Sequence, residues 1–358
     1  MPTFRADIRE IAPYSPGRAI ADVARENGFD PGEMVKLASN ESPLPPLEAV
    51  QARIRDEAHG VFRYPDNDAI ELRGAIAGAA DVDPDHVWVG GGSSELLRVI
   101  ALAVGGPGTS AVYAWPSFVI YRLASMLAMA DRVEIPLVDH RHDLVGLAKA
   151  IREDTTVVYV CNPNNPTGTH LPGADIAAFV EQVPERVLVV VDEAYHEYVT
   201  APDHATAVPL AVERPNVIVT RTFSKIHGLA ALRVGYGIAR PDTITELRKA
   251  QAPFTVTSLG QAAAVESLRQ TEAIAERARV NATERERVTA ELTDIGVAAV
   301  PSQANFVFFD PGPLTDPARE YLHHGIIVRV LGGGVRVTVG TPAENDRFIA
   351  ATRSLWAG

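Results

Sequence analysis

Five consecutive residues, Val187-Leu188-Val189-Val190-Val191, carry no polar side chain. No other feature constrains the fold as much. A strand with one face in water alternates apolar and polar residues, whereas a run without alternation belongs to a central strand covered on both faces, as in parallel sheets flanked by helices. The surrounding pattern repeats from about Val87 to Ile238: a short β-branched run, a turn rich in Gly, Pro, Asn or Ser, then a longer stretch compatible with a helix. The other runs are Val87–Val89, Ser110–Tyr113, Thr156–Cys161 and Val217–Thr220. Together they predict an α/β fold with mainly parallel strands. After Pro253 a charged, Ala-rich stretch from about Leu259 to Leu292 predicts a long helix. Short strands are predicted near Asn305–Phe309, Ile326–Val330 and Val335–Val339, in a smaller α+β unit. The expected division is an N-terminal arm (1–35) that belongs with the small domain, a large domain (36–250) and a small C-terminal domain (251–358).

The formal net charge of −12 over 358 residues has the wrong sign for a chain that neutralises nucleic-acid phosphates. Cys161 is the single cysteine, so no intrachain disulfide can form, and the opening MPTFRADIRE lacks the apolar core of a secretory signal. No apolar run approaches the roughly 18 residues of a membrane span. A cytoplasmic protein with neither nucleic-acid nor membrane partners is expected.

In open α/β sheets, ligands bind beyond the carboxyl ends of the strands, so the residues that follow each run belong together. Gly90-Gly91-Gly92-Ser93-Ser94-Glu95 opens the apolar stretch LLRVIALAV. Glycine lets the backbone approach a ligand, and the free N–H groups of a helix start attract phosphate. Glu95 stands where the dinucleotide fingerprint has its third glycine, and a plain capped helix also fits this segment. Asn162-Pro163-Asn164-Asn165-Pro166-Thr167-Gly168 reads as a turn stiffened by two prolines, able to hold an asparagine amide toward a ligand. Asp192-Glu193-Ala194-Tyr195 follows the all-apolar run. A carboxylate at that place implies a cationic partner, whether a ligand or an arginine of a structural ion pair. The last run ends in Thr220-Arg221-Thr222-Phe223-Ser224-Lys225 and continues through a Gly-Leu-Ala segment to Arg233. In such partly apolar surroundings a lysine loses its proton more readily, and its neutral amine becomes a nucleophile toward an aldehyde. A lysine, a carboxylate, an asparagine and phosphate donors at Ser93, Ser94, Thr222 and Arg233 are what pyridoxal phosphate requires.

NPNNPTG, DEAY and TFSK, with Arg233 downstream, are similar to the motifs of class I/II aminotransferases, along nearly the whole chain. Ala12-Pro13-Tyr14-Ser15-Pro16-Gly17-Arg18, Leu37-Ala38-Ser39-Asn40-Glu41, Arg63-Tyr64-Pro65-Asp66 and Val335-Arg336-Val337-Thr338-Val339-Gly340 look more narrowly like histidinol-phosphate aminotransferases and their aromatic amino-acid relatives. The resemblance implies the fold of type I pyridoxal-phosphate transferases, with a large cofactor-binding domain and a small α+β domain. It implies that Lys225 forms the Schiff base and then shuttles the proton between the substrate Cα and the cofactor C4′. Asp192 would pair with the pyridinium N–H, and Asn165 and Tyr195 with the ring 3′-oxygen. Ser93, Ser94, Thr222, Ser224 and Arg233 would hold the phosphate, Glu95 would join the cofactor-binding set, and Phe118 would stack on the ring where relatives often carry tyrosine. Tyr64 resembles a tyrosine that reaches the phosphate of the neighbouring subunit, which implies a homodimer with shared sites. Arg336 would bind the glutamate carboxylate and, in turn, the phosphate branch of histidinol phosphate, with Arg329, Tyr14 and Asn40 completing the substrate-binding set.

The expected activity is amino transfer between histidinol phosphate and 2-oxoglutarate. Aromatic amino-acid transamination is the rival, since Phe118 and Pro253-Phe254-Thr255-Val256-Thr257-Ser258 offer an apolar wall. A C–S lyase or decarboxylase would have less need of Arg336. A non-catalytic pyridoxal-fold module is opposed by the retention of Lys225, Asp192 and Arg233. Either arginine on the late strands, Arg329 or Arg336, could instead form an ordinary strand-face ion pair. His140, His142, His323 and His324 lack a third ligand at a recognised metal spacing and are expected on the surface, so no metal site is expected. Cys161 is expected in the core.

Overall fold

The computed structural model describes residues 3–5, 8–9, 11 and 19–357. The motif around Tyr14 lies outside them. In chain order the strands are β1 (Val35–Lys36), β2 (Val87–Gly90), β3 (Ser110–Trp115), β4 (Asp131–Pro136), β5 (Thr155–Cys161), β6 (Leu188–Asp192), β7 (Val217–Thr222), β8 (Gly235–Ile238), β9 (Ala299–Val300), β10 (Phe306–Phe309), β11 (Ile326–Ile327), β12 (Arg329–Leu331) and β13 (Gly334–Thr338).

Strands β2 to β8 form a seven-stranded sheet in the order β2-β8-β7-β6-β5-β3-β4. The five predicted runs fall on β2, β3, β5, β6 and β7, and the all-apolar run is its buried centre, with all five residues of β6 buried. Every pairing is parallel except those of β8, which runs against both β2 and β7. Two strands of this sheet escaped the sequence reading. β4 is an edge strand of sequence DRVEIP, half-exposed and charged, as edges that must not recruit another strand tend to be. β8 reads Gly-Tyr-Gly-Ile, and glycine lowers the strand signal. Gly235 is nevertheless required, because a Cβ there would collide with the backbone of Gly92 and Ser93. That close approach brings the start of the helix Ser93–Val104 against the carboxyl edge of the sheet.

A four-stranded sheet of order β12-β13-β10-β9 is antiparallel throughout, while β1 pairs with β11 in parallel. The predicted strand Ile326–Val330 is therefore two strands in different sheets. The predicted long helix is also two, Ser258–Arg269 and Thr271–Ile295. The first presents Ala263, Ala264 and Val265 to the core of the large sheet, and the second presents Val288 and Leu292 to the core around β10 and β13. One straight helix cannot serve both directions, and the chain leaves helical geometry at Gln270 (φ −91°, ψ 47°). The cores therefore part beyond the expected boundary at residue 250, while Val35 and Leu37 pack with the small sheet.

Candidate active site

A cavity of about 310 Å³ opens at the carboxyl ends of β5, β6 and β7, with the arginines of β12 and β13 on its opposite wall. Ser93, Ser94, Phe118, Asn165, Asp192, Tyr195, Thr222, Ser224, Lys225, Arg233, Asn40, Arg329 and Arg336 all line it. Residues scattered over almost 300 positions meet here because parallel strands deliver their following loops to one edge. Among the described residues that line the cavity, four cationic side chains, Lys225, Arg233, Arg329 and Arg336, stand with two carboxylates, Glu41 and Asp192. Although the chain as a whole is acidic, this cavity favours anionic ligands.

The adjacent carboxylates Asp192 and Glu193 are both 1% exposed, yet they are treated oppositely. Glu193 receives Arg221 Nε and Nη2 (3.0 and 2.7 Å), the Thr206 hydroxyl (2.8 Å) and the Ala207 N–H (2.7 Å). Asp192 Oδ2 accepts from the Tyr121 hydroxyl at 2.8 Å, and its Oδ1 is buried without a hydrogen-bond partner. Burial pushes the Asp192 carboxyl up to about 6. An orphaned oxygen of this kind suits a donor from a ligand, preferably a charged one.

Opposite Asp192, the helix Ser93–Val104 begins after Gly92, whose φ of +87° suits glycine. A Cβ at Gly92 would run into the Arg233 guanidinium, so the absent side chain is what lets that cation lie against the helix start. Arg233 Nη1 donates to Ala230 O (2.8 Å) and to Ser224 Oγ (3.3 Å), and the Thr222 hydroxyl donates to Ser224 Oγ (3.0 Å). Among the described residues no carboxylate pairs with Arg233. Free N–H groups, hydroxyls and an uncompensated guanidinium together make an anion cradle.

Lys225 lies between these two ends. Its Nζ donates to Ser39 O (3.3 Å) and stands 5.6 Å from the Tyr195 ring centre. Burial first, and then the Arg336 charge, bring its ammonium down to about 7. Asn40 Nδ2 donates to Tyr195 Oη (2.9 Å), which leaves the Tyr195 proton available to a ligand. Asn165 Oδ1 accepts from Arg336 Nη1 (2.5 Å), which leaves the amide NH₂ to donate. Arg336 Nη2 also donates to Ala38 O (2.7 Å), and its guanidinium lies 5.5 Å from the Phe306 ring centre. Arg329 and Arg336 are direct partners across β12 and β13 and so share one face of that ribbon.

The structure corrects the surface expectation for His142 and places the other expected residues as follows. Glu95 does not line the cavity: its carboxylate accepts from the Gly91 N–H and braces the loop. Asn40 does line it, but its amide is engaged by Tyr195 and Thr338 and positions them. His142 is not on the surface: it is buried, its Nε2 3.1 Å from Asn164 Oδ1, and burial lowers its pKa to about 4. Cys161 is core as expected but also borders the cavity, with its thiol pushed up to about 12 by burial. Tyr64 is 82% exposed, stacked on Phe254 at 4.7 Å, and away from this cavity. The sequence reading missed Tyr121, Ser39 and Glu41. For Tyr121 no signal was available, since an aromatic residue within VIYRLASML reads as helix core.

The family described as aminotransferase class I and II matches residues 32–351. An aromatic amino acid aminotransferase of Thermobifida fusca is 45% identical over 99% of this chain and 97% of its own. Histidinol-phosphate aminotransferase 2 of Ralstonia nicotianae is 40% identical over 98% and 96%. The crystal structure of histidinol-phosphate aminotransferase from Sinorhizobium meliloti in complex with pyridoxal-5'-phosphate superposes with a TM-score of 0.91 at 30% identity, covering 99% of this chain and 97% of that one.

Proposed function

The chain belongs to the class I and II aminotransferase family, and from that premise we propose that it moves an amino group between histidinol phosphate and 2-oxoglutarate, with pyridoxal phosphate as cofactor. The cavity fits that cofactor at both ends. The orphaned Asp192 Oδ1 suits a protonated ring nitrogen, and the cradle of Gly92, Ser93, Ser94, Thr222, Ser224 and Arg233 suits a phosphate. Tyr195 and the Asn165 amide supply two neutral donors for a ring oxygen, and Phe118 supplies an apolar face.

Bound there, pyridoxal phosphate supplies an aldehyde that captures amines and a protonated ring that withdraws electrons from the substrate Cα. The chain does the rest. Lys225 Nζ, with its neutral form well populated from about pH 7 upward, takes the proton from the substrate Cα and, once charged, returns it. Asp192 keeps the ring nitrogen protonated. Arg336 and Arg329 bind the anionic branch of the substrate and so orient its Cα toward Lys225. Two copies are proposed to assemble, with Tyr64 completing the partner's site. Val61, Phe62, Ile70 and Phe254 are exposed apolar residues of the same region. Among the described residues no helix is long and apolar enough to cross a membrane.

The lowered pKa of Lys225 gives a pH signature. Because the reactive form is the neutral amine, capture of pyridoxal phosphate by the cofactor-free protein should rise about tenfold per pH unit below 7 and level off above it. Rates of borohydride-trapped incorporation between pH 5.5 and 9 test this. A continued rise to pH 9 would assign capture to an ordinary surface lysine.

The observation that carries the substrate reading is the pair of guanidinium groups on one face of β12 and β13. A carboxylate is satisfied by one arginine, whereas a phosphate dianion spreads its charge over three oxygens and engages a second. Aromatic amino-acid transamination is the second reading, favoured by the apolar Phe118 wall and by the relative named for that activity. Comparing kcat/KM for histidinol phosphate and phenylalanine with 2-oxoglutarate separates them. Arg336→Ala should weaken both half-reactions. Arg329→Ala should penalise histidinol phosphate at least about tenfold more than glutamate or phenylalanine, because a hydrogen bond to a charged group contributes roughly 1.5–3 kcal/mol. Equal losses for all three substrates would make Arg329 structural and shift the assignment to the aromatic activity.

A further inference from the structure

We propose that Tyr121 is a positioning residue for Asp192: its hydroxyl fixes one carboxylate oxygen, so that the other alone is presented, ionised, to the cofactor ring nitrogen. The proposal rests on the cofactor reading above and deepens it. Tyr121 lies on the helix Val119–Leu127, 71 residues from Asp192 in sequence, and is fully buried behind the cavity. Its O–H donates to Asp192 Oδ2 at 2.8 Å. Its ring is stacked on Tyr159, with centroids 4.7 Å apart and planes 14° apart, and meets Phe118 edge-on at 5.8 Å. Packed against both rings, the hydroxyl is a fixed point that cannot follow a rotating carboxylate.

A donor to the charged form keeps a carboxylate ionised against the pull of burial. Burial, and then the Asp192 charge, raise the Tyr121 phenol well above its ordinary pKa, so it stays a donor. Among the described residues the Lys225 ammonium also acts on Asp192 through its charge, but no cation is hydrogen-bonded to the Asp192 carboxylate. Arg221 is committed to Glu193, and the Cys161 thiol beside the pair is neutral. The Thr220 hydroxyl and the Ala194 N–H also favour the ionised form; with the Tyr121 hydroxyl removed, the buried carboxylate would take the shared proton more readily, leaving the ring nitrogen neutral, or would turn Oδ1 away.

The test measures binding rather than turnover. The full-length protein, freed of cofactor, is titrated with pyridoxal phosphate and with the analogue carrying C–H in place of the ring nitrogen, each followed by fluorescence. The wild type should prefer pyridoxal phosphate by at least about tenfold, the scale of one charge-assisted hydrogen bond. In Tyr121→Phe, which keeps the stacking, that preference should shrink at least about fivefold, with analogue binding unchanged. Tyr121→Met, a second side chain without a donor, should show the same reduced preference should the first variant fold poorly. Tyr159→Phe removes a buried hydroxyl that has no hydrogen-bond partner and should keep the wild-type preference. A Tyr121 variant that retains the full preference, or loses affinity for both probes equally, overturns the proposal. A wild type without any preference overturns instead the pairing of Asp192 with the ring nitrogen.

Discussion

Replacing Lys225 with alanine should abolish transamination, lowering kcat by at least about 10³-fold, because the side chain is both the amine that captures the cofactor and the group that carries the Cα proton. It lies between the phosphate cradle and Asp192 with its ammonium brought down to about 7, and among the described residues no second lysine lines the cavity. Borohydride reduction of the wild type should place the cofactor label on the peptide that contains Lys225. Substantial turnover by Lys225→Ala, together with an unlabelled Lys225 peptide, would overturn the assignment. The same variant tests the shared site. If Tyr64 serves the partner's cavity, mixing Lys225→Ala with Tyr64→Ala should restore activity in heterodimers, since one of the two sites then escapes both substitutions. No recovery would confine Tyr64 to surface packing.

Asp192→Ala should lose at least about 10²-fold in kcat, because a ring nitrogen no longer held protonated makes a poor electron sink. Weakened cofactor binding should remain, since the cradle around Arg233 is untouched. Stability should respond in a way that separates this reading from a structural ion pair. Burial raises the Asp192 carboxyl to about 6, above its unfolded value. In the cofactor-free protein its ionisation therefore opposes folding, increasingly as pH rises through that range. At pH 8 the cofactor-free Asp192→Ala variant should melt no lower than the wild type, while the rise in Tm on adding pyridoxal phosphate should shrink. A variant that unfolds readily without cofactor, yet keeps normal specific activity in its folded fraction, would return Asp192 to a structural role. Glu193 provides the contrast: its four donors from Arg221, Thr206 and Ala207 mark it as the structural member of the two.

The sequence by itself determined which strands are central and which side chains stand at their ends. Both are local properties: an apolar run without alternation specifies a strand covered on both faces, and the residue after a strand is placed by that strand. Hence Asp192 after β6, Lys225 after β7 and the Ser93 helix start after β2 were legible, together with the chemistry they imply. The tertiary structure alone decided which of these groups are satisfied and which are left for a ligand. The Tyr121–Asp192 bond spans 71 positions, Asn40–Tyr195 spans 155 and Asn165–Arg336 spans 171. In each the local pattern gives no sign of the partner, however clearly it marks one residue as facing a ligand. It also decided β8, where Gly235 is required by the backbone of Gly92 and Ser93 rather than by any strand preference of its own. Propensity and periodicity act over a few residues, whereas hydrogen-bond satisfaction is settled only when distant segments close around one cavity.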